Sequence, residues 1–116
     1  MPTNSRPRRG EVWLVSLDPT MGHEVKKTRP AIVVTNDVYN THNWVVIIMP
    51  LTSHHRAEYD QVLILPPEGG LAKSSVTLPD QLRAVDCGRL VQRLGKLKPK
   101  TMLEVDHSLK VVLDLL

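Results

Sequence analysis

The sequence predicts a mainly β fold closed by a C-terminal helix, and three observations predict it. Apolar runs rich in valine, isoleucine and leucine recur between residues 11 and 97 and are broken by Pro, Gly, Asn and Asp, the pattern of short strands joined by turns. The period changes only at the end, where Met102, Val105, Leu109, Val112 and Leu116 recur at spacings of three and four and so share one face of a helix. A chain of 116 residues fits one domain with a real core, and its single cysteine, Cys87, excludes an internal disulfide as a substitute for that core.

Residues 1–9 hold three arginines and two prolines without an apolar pattern and are expected to form a flexible basic arm ahead of one domain spanning 10–116. Gly10 opens Glu11 to Leu17, whose tryptophan, valines and leucines suit a first strand, and Asp18-Pro19-Thr20 ends it by turn chemistry. In the loop that follows, Gly22 to Pro30, the proline pushes Arg29 out of helical and into extended backbone. Ala31 to Thr35 is a continuous apolar run of the kind found in strands covered on both faces. Turn residues surround Val38-Tyr39, and Trp44 to Met49 forms a third strand that Pro50 is expected to stop.

Gln61 to Leu65 reads as a fourth strand and Pro66 to Gly70 as an exposed turn. Ser74 to Leu78 reads as a fifth strand, Gln81 to Val85 as a sixth after the Pro79-Asp80 break, and Leu90 to Leu97 as a further short one. For the helix, Thr101 with Glu104 matches a capping box and Pro99 lies just upstream, where helices begin. The architecture expected is a small, strongly bent antiparallel sheet or barrel with the helix packed on it.

Charge placement says more than the net +3. Residues 1–30 carry six basic groups against three acidic ones, and a second basic tract, Arg83, Arg89, Arg93, Lys96, Lys98 and Lys100, is opposed only by Asp86. Two basic tracts on a small domain suit a polyanionic partner, and equally a solvated face. With two tryptophans, two tyrosines and no phenylalanine, a sheet that stacks bases on paired aromatics is disfavoured. The longest apolar run, Trp44 to Leu51, is too short to span a bilayer, and the basic N-terminus leads into no signal-type segment, so a cytoplasmic protein without membrane contact is expected.

The chemistry concentrates between His23 and Arg29, where an imidazole, a carboxylate, two amines and a guanidinium lie in seven residues. Arg29 offers a planar fork of donors that stays charged and matches a phosphate, or else only pairs with Glu24 or Asp80. Thr52 and Ser53 end an apolar strand, where hydroxyls reach a phosphate oxygen or simply close a turn. His23 is a proton carrier or a solvated side chain, and Asp80 a general base or a cap. His54-His55 with Glu58 and Asp60 match no zinc spacing, so no metal and no cofactor is expected.

These segments together resemble a known family. Arg9 to Val15, Leu17 to Thr20 with Gly22-His23-Glu24, Thr28-Arg29-Pro30-Ala31, Pro50-Leu51-Thr52-Ser53, and Asp80-Gln81 with Arg83 are similar, in order and spacing, to the MazF/PemK/Kid toxins of bacterial toxin-antitoxin pairs. The resemblance implies an SH3-like barrel and a homodimer. It also implies a sequence-specific, metal-independent endoribonuclease that cuts single-stranded RNA by 2′-hydroxyl attack, leaving a 2′,3′-cyclic phosphate and a 5′-hydroxyl. Arg29, Thr52, His23 and Asp80 then take the catalytic positions, and Glu24, Lys27, Ser53, Gln81 and Arg83 contact RNA. Partners implied are a cognate MazE-like antitoxin laying an acidic segment over the basic groove, and operator DNA only through that complex. One departure is plain: the Kid branch has an arginine as general acid two residues before the aspartate, where this chain has Leu78, which holds no transferable proton. A CcdB-like gyrase poison and a non-catalytic nucleic-acid-binding module are the alternatives.

Overall fold

The computed structural model describes residues 6–18, 21–23, 27–53, 57–58 and 60–115. Within them the chain forms seven strands and two α-helices in the order β1 (Glu11–Ser16), β2 (Thr28–Val33), α1 (Asp37–His42), β3 (Val45–Thr52), β4 (Leu63–Ile64), β5 (Ser75–Thr77), β6 (Arg83–Asp86), β7 (Leu90–Lys96) and α2 (Pro99–Val112). All the strand pairings are antiparallel, in the order β4-β5-β3-β2-β1-β7, with β6 added to β3. The mainly β fold with a helix at the C-terminal end is thus as the sequence predicts, as a curled half-barrel.

Successive side chains of a strand point to opposite faces, and here both faces are covered. Trp13, Val15, Ala31, Val33, Val46 and Ile48 face one buried cluster, closed by Val85, Cys87 and Leu90 of the β6–β7 region. Val12, Ile32, Met49 and Leu51 face the other, closed by Val62, Ile64, Leu71, Leu97 and by Val105 of α2. This explains why Ala31 to Val33 and Val46 to Met49 read as unbroken apolar runs rather than as alternating ones.

Three expectations are corrected. Pro50 does not stop β3: the strand runs on through Thr52. Its first half, Val45 to Ile48, pairs with β6, and its end, Leu51 and Thr52, pairs with β5. Pro50 falls at the seam between these partners, where a missing N–H costs the ladder little, and its carbonyl still accepts from the Leu78 N–H at 2.9 Å. The Asn/Asp-rich stretch after β2 is a short helix, α1, not a turn. The Asn36 side chain accepts from the Tyr39 N–H, and buried Asn40 donates to the Thr35 carbonyl, so polar side chains hold a helix that has no apolar period.

The capping expectation also fails, since α2 begins earlier, with Lys98 as N-cap and Pro99 in the first turn. The cap is supplied from far away in sequence: the Glu68 carboxylate accepts from the Lys98 N–H at 3.0 Å, and so places negative charge at the helix start. Glu68 lies in the segment expected to be an exposed turn, where Pro66, Pro67 and Gly70 are exposed and a 3₁₀ turn, Glu68–Gly70, packs on β7 through buried Gly69. A Cβ on Gly70 would overlap the Leu94 carbonyl, so only glycine allows that approach.

Arg6 to Arg9, the described part of tract 1–9, lie against the domain. Arg6 stacks 4.4 Å from the Trp44 ring centroid and donates to the carbonyls of Asn40 and Asn43. The Arg9 N–H donates to Asp37 at 2.7 Å, and its guanidinium pairs with Asp106 of α2.

Candidate active site

The antiparallel register of β2 and β3 aligns Ala31 with Pro50. Carried two residues further, it brings Arg29 level with Thr52 at the open ends of the two strands. There a cavity of about 200 Å³ forms, lined by Arg29, Pro30, Leu51, Thr52, Ser53 and, from the segment before and at the start of β5, Leu71, Ala72, Lys73 and Ser75. Thr52 is buried and Arg29 half-buried, while Ser53 and Lys73 are exposed, so charge and hydroxyls occur at two depths. Leu51 and Leu71 make the floor apolar, and apolar walls strengthen any contact between the guanidinium and an anion.

Local sequence explains these positions. Pro30 commits Arg29 to extended backbone, so it becomes part of β2 opposite Val15 of β1. Thr52 is held by direct pairing with Val76 of β5, which fixes its backbone in the sheet rather than in the loop that follows. Ser53, just past the end of the strand, is exposed and also lines the cavity.

The other candidates lie elsewhere. His23 is exposed in the loop before β2. Lys27 is exposed with a positive φ of 66°, and its N–H donates to the Asp18 carboxylate at 2.9 Å. Asp80 and Gln81 belong to a 3₁₀ turn, Pro79–Gln81, with Asp80 exposed, and neither lines the cavity. Arg83 opens β6 and reaches the Leu17 carbonyl at 3.5 Å. Glu24 and the His54-His55 pair fall outside the described residues. Lys73 and Ser75 were missed by sequence reasoning, because one lysine in a polar connection carries no periodic or motif signal. Leu78, at the position where the Kid branch has its acid, is buried.

The fold and this cavity define the class: a small, curled β protein that presents a guanidinium and a threonine hydroxyl at adjoining strand ends, suited to gripping a phosphodiester. The chain belongs to a particular family within it, the PemK-like, MazF-like toxins of type II toxin-antitoxin systems, whose model matches residues 8–113. It is 35% identical to endoribonuclease MazF9 of Mycobacterium tuberculosis over 93% of this chain and 97% of that protein. To endoribonuclease MazF of Staphylococcus epidermidis it is 36% identical over 93% and 92% of the two chains. Among solved structures, MazF from Deinococcus radiodurans superposes with a TM-score of 0.81 at 27% identity, covering 93% and 96%. A MazE-MazF structure from the same organism superposes with a TM-score of 0.71 at 26% identity, covering 93% and 96%.

Proposed function

We propose that this chain is an endoribonuclease toxin that cuts single-stranded RNA at the Arg29–Thr52 cavity without a metal, and that residues 10–116 act as one toxin domain. Membership of the family and the two endoribonuclease relatives support RNA cleavage. The observation that carries the choice of site is the meeting of Arg29 and Thr52 in one apolar-floored cavity.

The chemistry follows from the groups available. The ribose 2′-oxygen attacks the adjacent phosphorus and releases its proton, the P–O5′ bond breaks, and the departing 5′-oxygen takes up a proton. The products are a 2′,3′-cyclic phosphate and a 5′-hydroxyl. Negative charge grows on the non-bridging oxygens as the new bond forms. A guanidinium fork and a hydroxyl donor stabilise that charge more than the charge of the resting diester. His23, exposed in the loop before β2 and outside the cavity lining, is assigned to proton movement once RNA is bound. Ser53, Lys27 and Arg83 are assigned to RNA positioning.

The toxin acts in the cytoplasm as a homodimer and is neutralised by a cognate antitoxin related to MazE, through which alone operator DNA is reached; the MazE-MazF complex of the Deinococcus relative supports the antitoxin. No described helix is long and apolar enough to cross a membrane. The test is incubation of purified protein with a long single-stranded RNA in EDTA. Discrete fragments ending in cyclic phosphate are expected. Fragments only after metal is added, or none from a preparation that inhibits growth, would overturn the proposal and favour a CcdB-like poison or a simple binding module.

A further inference from the structure

We propose that Lys73 is a second phosphate-binding residue of this site, holding the phosphodiester next to the one that is cut; the inference rests on the ribonuclease reading above. Cavity size is the first argument. A space of about 200 Å³ is smaller than the ~300–1,000 Å³ typical of ligand pockets. It admits a phosphodiester with part of its ribose, and the flanking nucleotides must cross the rim. Lys73 is the other cation of the cavity lining besides Arg29, and it sits at that rim, exposed where Arg29 is half-buried.

The second argument is placement. Lys73 lies between two buried residues, Leu71 in the core and Ser75 at the start of β5. The Ser75 hydroxyl donates to the Lys73 carbonyl at 3.0 Å and closes the turn beneath it. One residue beyond Ser75, Val76 pairs with Thr52 itself. The Lys73 backbone is therefore anchored two residues ahead of the strand that pairs with Thr52, which keeps its side chain among the residues lining the cavity.

Lys73 also contrasts with the arginines outside the cavity. Arg6, Arg9 and Arg93 are committed to carbonyls or carboxylates of the protein. Among the described residues no carboxylate pairs with Lys73. An ammonium is a compact charge on a flexible stem, which suits a phosphate whose orientation varies from one sequence to the next, whereas the fork of Arg29 suits one fixed geometry.

The experiment compares wild type with Lys73→Ala and Lys73→Gln on an oligoribonucleotide carrying one mapped cleavage site, across a range of salt. Both variants should melt as wild type does, since the side chain is exposed. KM should rise about five- to tenfold with kcat within about twofold, as befits loss of one charged contact outside the reacting bonds. The slope of log KM against log salt should fall by about 0.7, the single-strand value for one phosphate contact. Lys73→Arg should restore KM. An unchanged KM and salt slope would overturn the assignment. So would a loss confined to kcat with the slope unchanged, since the lysine would then act on the reacting atoms. Failure of wild type to cut the same RNA would instead sink the ribonuclease reading.

Discussion

Arg29 and Arg93 flank the same strand, β1, and do opposite things. Arg93 of β7 lies beside Trp13 and donates to the Glu11 carboxylate at 2.6 Å, while Arg29 of β2 lies beside Val15 and lines the cavity. The difference comes from what stands nearby. Glu11 is buried, and it also accepts from the Arg8 N–H at 2.8 Å and the Trp13 indole N–H at 3.0 Å, so it ties the N-terminal segment, β1 and β7 together. At the far end of the sheet β2 and β3 simply stop, leaving an open rim. An arginine is thus a tie where a buried carboxylate faces it, while at the open strand ends the same group lines a cavity. A basic tract in the sequence does not separate the two.

Substitutions separate the roles of the two arginines. The largest effect is expected for Arg29→Ala, which should lower single-turnover RNA cleavage by about 10²–10³, the usual cost of removing a donor to developing charge, while the thermal transition stays close to wild type. Thr52→Val should act in the same direction. A melting temperature that drops with the activity would place Arg29 among the ties. Glu11→Ala should do the reverse. With Trp13 and Arg93 deprived of their acceptor, denaturant unfolding should show a loss of about 2–3 kcal/mol, and the variant should still cut RNA under folding conditions.

Arg6→Ala removes the stack on Trp44 and the donation to two carbonyls and should cost about 1–2 kcal/mol in the same assay, with cleavage retained. Asp80→Asn tests the turn outside the cavity. A general base contributes about 10² or more, so a loss of less than about tenfold is expected, and a loss beyond that would bring Asp80 into the chemistry. The smallest effect concerns Cys87. Burial pushes its thiol above the ordinary value, Asp86 adds to the rise, and the Arg6 guanidinium pulls it back. The unfolded chain therefore releases this proton first, and stability should be constant below about pH 8.5 and fall as pH rises past it. Cys87→Ala should flatten that part of the profile.

How far the site was legible follows from the same residues. Arg29 was legible because Pro30 restricts the backbone before it, a local effect, and Thr52 because it ends an apolar run. Lys73 was not, since only the fold brings the segment before β5 into the lining of the cavity that Arg29 and Thr52 share. Asp80 stood out in sequence and lies on a separate 3₁₀ turn, because position along the chain says nothing of which rim a turn occupies.

For the molecule as a whole, the sequence by itself determined the approximate places of the strands, the covering of β2 on both faces and the amphipathic C-terminal helix. Side-chain period and turn chemistry are properties of a few neighbouring residues, and they survive without knowledge of partners. Only the tertiary structure decided that β3 passes through Pro50 by changing partners, that Glu68 caps α2 from thirty residues away, and that Arg93 meets the buried Glu11 carboxylate while Arg29 lines the cavity. Each of these depends on what a residue meets across space. A missing N–H is tolerable only at a seam, a carboxylate caps only the helix end that reaches it, and an arginine becomes a tie only where a buried acid stands beside it.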